Sequence, residues 1–151
     1  MIDIGFYQLA QRRAEAVLPQ LVNKALGAGH RLLIRTADAA LLDRIDAALW
    51  SFAADSFVPH GIDTALGPER AAAQAVLLSV AGDWQTNSAD CLAQIGGDLP
   101  DDLTGLSRVL FLFDADSLQV ARARWRVVAK DADRCPVYWR EGEGGRFEKA
   151  A

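Results

Sequence analysis

The chain has 151 residues, 51% of them hydrophobic and 24% charged, with a formal net charge of −4. That length fits one domain over residues 1–151, and the apolar fraction excludes global disorder. No apolar run approaches the ~18 residues of a membrane span, the opening Met1–Tyr7 segment lacks the basic and apolar regions of a signal peptide, and a net acidic chain is not expected to grip nucleic acid strongly. Ile2, Ile4, Phe6, Tyr7 and Leu9 predict a first strand, with imperfect alternation. Ala14, Val17, Leu18, Leu21, Val22, Ala25 and Leu26 then recur at helical spacing. Pro19 lies inside that stripe, so a kink is expected there, or a helix that starts near it. Gly27-Ala28-Gly29 ends the helix.

Leu32-Leu33-Ile34 reads as a short buried strand. Asp38 is a plausible N-cap for a second helix that lines up Leu41, Leu42, Ile45, Ala48 and Leu49 and finishes at Trp50-Ser51-Phe52. Residues 53–74 hold Pro59, Gly61, Gly67 and Pro68 without a sustained period and are expected to form a long, mostly irregular excursion. Strands follow at Val76–Leu78 and Asp90–Gln94, with a loop at 81–88 between them. Arg108–Phe113 is apolar on both faces, as in the middle of a covered sheet. A last helix spans Asp116–Ala129, with Leu118, Ala121, Trp125 and Val128 on its apolar line. Pro136–Trp139 is a final strand, with a hairpin turn at 141–145 leading into Arg146-Phe147-Glu148. Alternating strands and helices predict an α/β fold: a three-layer sandwich with a mainly parallel central sheet.

Chemistry finds little purchase. Gly27-x-Gly29 follows a helix and precedes a strand, whereas a phosphate-cradling loop must follow a strand and open a helix. Cys91 and Cys135 are too few for a disulfide framework or a zinc site and read as reduced core thiols of a cytoplasmic protein. His30 reads as a turn or interface histidine. His60 reads as a surface histidine in a binding loop; a general base near Asp55 or Asp63, in a small nucleotide-binding protein or hydrolase, is the alternative. No catalytic residue, metal ligand or cofactor is expected. Two features remain. Trp50, Phe52, Phe57 and Pro59 cluster near the long loop and are either core or interface. Arg122, Arg124, Trp125 and Arg126 crowd the last helix, forming either a solvated cationic face or an anion-binding patch beside an apolar pocket, suited to an acidic peptide ending in an apolar residue.

Several segments carry a resemblance: Phe6-Tyr7-x-Leu9; Leu18-Pro19-Gln20-Leu21-Val22 leading to Gly29-His30-Arg31-Leu32; Ala48-Leu49-Trp50; Ser56-Phe57-Val58-Pro59-His60; Asn87-x-Ala89-Asp90; Ala121-Arg122-x-Arg124-Trp125; and Tyr138-Trp139. Together they resemble the chi subunit of the bacterial DNA polymerase III holoenzyme, along nearly the whole chain. The resemblance implies a Rossmann-like fold without a bound nucleotide and a non-enzymatic accessory protein of the clamp loader. In that family, chi joins the clamp loader, through the small psi subunit, to single-stranded DNA-binding protein, whose acidic C-terminal tail it grips. Arg122 matches the family's tail-contacting arginine, and Trp125 and Arg126 match neighbouring tail-site positions, with Arg124 between them. Trp50 and the Phe57-Val58-Pro59 segment match the surface for psi and, in some bacteria, for a helicase-like repair protein. Residues 61–74 and 81–84 carry no family motif.

Overall fold

The computed structural model describes residues 1–51, 60–143 and 146–151. In chain order the elements are β1 (Ile2–Gln8), α1 (Ala14–Gly27), β2 (Leu32–Arg35), α2 (Ala39–Ser51), β3 (His60–Ile62), α3 (Pro68–Ala73), β4 (Val76–Ser79), β5 (Cys91–Ile95), β6 (Arg108–Phe113), α4 (Leu118–Val128), β7 (Arg134–Glu141) and β8 (Phe147–Lys149). Short 3-10 turns precede α3 and α4 at Asp63–Ala65 and Ala115–Ser117. Among the described residues the strands form one eight-stranded sheet in the order β3-β4-β2-β5-β6-β1-β7-β8. Every neighbouring pair is parallel except β7 and β8, which form the expected antiparallel hairpin.

Helices cover both faces, and the alternation of β6 shows how. Leu110 and Leu112 point into a core with Val17, Leu18 and Val22 of α1 and Leu42, Ile45 and Leu49 of α2. Val109, Phe111 and Phe113 point the other way, toward Ala121 and Val128 of α4 and Ala71 of α3. A strand buried on both faces needs no polar alternation, which is why Arg108–Phe113 reads as one apolar run. Leu99, Leu103 and Leu106 from the segment between β5 and β6 fill the second core where no helix lies.

Local chemistry sets the element ends. Asp38 caps α2, its Oδ1 accepting from the amides of Ala40 and Leu41 at 3.0 and 3.2 Å. Gly29 closes α1 with φ +89°, and the amide of His30 donates to Ala25 O at 3.0 Å, a Schellman closure. Two expectations change. α1 starts at Ala14, not near Pro19; Pro19 is buried within the helix, where its ring packs in the core and only one backbone donor is forfeited. The stretch 53–74 is not mostly irregular, since its described part holds β3, a 3-10 turn and α3. Three and six residues are too few to show a period. β3 exists because β4 pairs with it, His60 opposite Val76 and Ile62 opposite Leu78.

Candidate functional site

α4 lies across β1 and β7, with Ala121 and Val128 buried beneath it. Trp125 is half-buried. Its ring meets Phe6 edge-on (5.2 Å between centroids, 80°) and Tyr138 likewise (5.5 Å, 82°). Arg122 and Arg126, four residues apart, share an exposed flank beside this aromatic cluster. No described residue forms an ion pair with either. Arg124 turns to the opposite flank. It makes a bidentate pair with Asp98 (Nε and Nη2, both 3.0 Å) and binds Asp101 through Nη1 at 2.7 Å. Its side chain is only 12% exposed. These bonds push the guanidinium's pKa up and hold the Asp101 carboxyl below the usual carboxylate range. Arg124 therefore braces α4 against the segment after β5.

One cation escaped the sequence reading. Arg140 stands two residues after Tyr138 on β7, so both side chains project toward the α4 face. Burial pushes the Tyr138 phenol up, and the charges of Arg140 and Arg122 oppose that shift. The phenol donates to Gln8 Oε1 at 2.6 Å. The period-two spacing of Tyr138 and Arg140 is the signal that points to this third arginine. Two further apolar side chains of the helix reach solvent elsewhere. Val120 and Val127 of α4 are exposed, Val127 at 55%, on a different flank from Arg122 and Arg126.

The second cluster sits at the end of α2. Trp50 is 58% exposed, and its ring lies 4.7 Å from that of His60, tilted by 54°. His60 is buried in β3, not in a surface loop. Its Nε2 lies 3.0 Å from Asp46 Oδ1 and 3.2 Å from Asp46 O. Its anchored ring supports the indole, which leaves Trp50 as a large apolar side chain held up to solvent. Phe52, Phe57, Val58 and Pro59, expected beside it, lie outside the described residues. His30, by contrast, sits at the α1–β2 turn, its Nδ1 2.8 Å from Asp90 Oδ2.

A cavity of about 550 Å³ opens at the carboxyl ends of β1, β2, β5 and β6. In parallel α/β sheets this is where ligands usually bind, with the amides after the first strand facing phosphate. Here those amides are already engaged. Glu141, at the end of β7, accepts from the backbone N–H groups of Ala10, Gln11 and Arg12 at 3.1–3.4 Å. The chain's own carboxylate stands where a phosphate would be. Among the described residues no cluster of three metal-ligating side chains forms, and no helix is long and apolar enough to cross a membrane.

A family model described as DNA polymerase III chi subunit, HolC, matches residues 1–133. The chain is also similar to the DNA polymerase III subunit chi of Pseudomonas aeruginosa, with 28% identity over 131 residues, covering 83% of this chain and 88% of that protein.

Proposed function

The chain belongs to the chi-subunit family of DNA polymerase III and so to the machinery of DNA replication; on that premise we propose that it is a non-catalytic bridge between the clamp loader and single-stranded DNA-binding protein. It works in the cytoplasm as one domain over residues 1–151. The α4 face receives the acidic C-terminal tail of the single-stranded DNA-binding protein, and the Trp50 surface, with the Phe57–Pro59 segment, receives psi or a helicase-like partner.

The observation that carries this reading is the exposed pair Arg122 and Arg126 beside the Trp125–Tyr138 cluster. Two guanidinium groups on one flank suit a terminal carboxylate, which they take with charge-assisted bonds. Arg140 adds a further positive charge on the same face. The tail's aspartates feel a screened attraction, so binding weakens with salt. The terminal apolar side chain gains about 25 cal/mol per Å² of surface it buries. A disordered tail loses entropy on docking, which keeps the affinity moderate and the contact exchangeable. Arg124, spent on Asp98 and Asp101, acts here by holding α4 in place.

The test is a labelled tail peptide titrated by fluorescence anisotropy. Arg122→Ala weakens it on the order of tenfold or more, the range for losing a charge-assisted contact, while the thermal midpoint stays put. Unchanged affinity in that variant overturns the assignment.

A further inference from the structure

On the face of the sheet away from α4, a cavity of about 670 Å³ lies between α1 and the β7–β8 hairpin. Its floor is aromatic. A Cβ on Gly5 would come within 2.6 Å of Tyr7 Cε2, so the Tyr7 ring folds back over its own strand in the space that glycine leaves. Trp139 lies near-parallel to it (6.3 Å, 13°), and Phe147 stands on it edge-on (5.2 Å, 90°). Val17, Leu21 and Ala25 of α1 and Leu110 of β6 supply an aliphatic wall.

Around this hollow stand Arg12, Lys24, His30, Arg108 and Arg146, and no acidic side chain appears among the described lining residues. Arg12 is paired with Glu141 at 3.8 Å, but in a chain with 20 acidic against 16 basic residues the lining contributed by Lys24, Arg108 and Arg146 is locally cationic. Lys24 and Arg146 are exposed on opposite sides of the hollow, and no described residue forms an ion pair with either. His30 is held by Asp90 from outside the cavity.

We infer that this cavity is a docking site for an acidic peptide segment carrying one large apolar side chain, separate from the α4 face. Charge complementarity sets the occupant's sign. The aliphatic and aromatic lining sets its apolar part. The same features speak against single-stranded nucleic acid, which needs open aromatic faces to stack on and a continuous cationic track. Tyr7 is only 6% exposed, under Phe147, so its ring offers no open face to a base. The inference does not rest on the reading of α4.

The probe is a short fluorescent peptide of aspartates around one phenylalanine, blocked at both ends so that it offers no terminal carboxylate. It is titrated into the full chain at low salt, with amide shifts followed by NMR. The expected result is saturable binding with shifts at Lys24, Ala28 and Phe147, weakened on the order of tenfold in Lys24→Gln combined with Arg146→Gln. Both residues are exposed, so the variant folds. Absence of binding, shifts confined to the stretch from Arg122 to Arg126, or tighter binding of a single-stranded oligonucleotide at Lys24 and Phe147 overturns the inference. Titrating a free-ended tail peptide into the same double variant separates this site from α4, because a tail held by Arg122 keeps its affinity there.

Discussion

Glu141→Gln tests the tie between the end of the sheet and the start of α1. The Glu141 side chain has no exposed surface, and its carboxylate meets three backbone amides that have no place in the helix or sheet ladders. Arg12 Nε lies 3.8 Å away. Glutamine keeps the shape but turns an NH2 group toward backbone donors, so at least one amide is left facing a donor. A hydrogen bond to a charged group contributes about 1.5–3 kcal/mol, and a buried group left unpaired costs about 1–3 kcal/mol. The expected loss is therefore about 3 kcal/mol, a large share of the ~5–15 kcal/mol that holds a domain together. With a urea m-value of about 1–3 kcal/mol/M, the midpoint falls by about 1–3 M. Urea titration followed by tryptophan fluorescence and far-UV circular dichroism measures it. Hydrogen exchange should also quicken at Ala10, Gln11 and Arg12. A midpoint shift below about 0.3 M, with exchange at those amides unchanged, refutes the reasoning.

Gly5→Ala forces a methyl against the Tyr7 ring and should destabilise by about 1–3 kcal/mol; Tyr7→Leu in the same chain should recover most of that loss, and additive effects would refute the packing argument. Trp50→Ala should break copurification with psi or its replacement while sparing the tail peptide, and equal loss of both would show Trp50 to be structural. Burial pushes the Cys91 thiol up to about 12, so at pH 8 a maleimide should label the half-exposed Cys135 quickly and Cys91 only after unfolding. The unfolded thiol ionises near its ordinary value of 9.0 while the folded one stays neutral, so this group's contribution to stability is intact below pH 9 and is lost between pH 9 and about 12. Alkaline urea midpoints of Cys91→Ala against the parent chain check that slope.

The α/β architecture was legible because its strongest strand, Arg108–Phe113, reads as one unbroken apolar run and its longer helices repeat enough to show a period. β3 and α3 were not, since His60–Ile62 gains its strand character from β4 and Pro68–Ala73 is under two turns of helix. Asp38 and Gly29 were readable as caps because capping is a local, side-chain-specific event. The candidate site was legible in kind but not in arrangement. Arg122, Arg124 and Arg126 look alike in a row, yet 3.6 residues per turn and the distant Asp98 and Asp101 remove Arg124 from the exposed flank. His60 looked like a surface residue because nothing near it in sequence announces that Trp50 and Asp46 pack on it. The cavity between α1 and β7–β8 draws its cations from Arg12, Lys24, His30, Arg108 and Arg146, which only the folded topology gathers.

The sheet order carries a consequence for how the chain is made. β1 lies between β6 and β7, so Asp3 pairs with Arg108 on one side and Cys135 on the other. β1 is made before either of its neighbours and stays unpaired until β6 has followed. Until then Ile4, Phe6 and Tyr7 stay in water, and parallel pairings of such long sequence separation form slowly. Apolar surface left exposed during that wait is of the kind that chaperones cover. β1 gains its second neighbour only after β7 has been made.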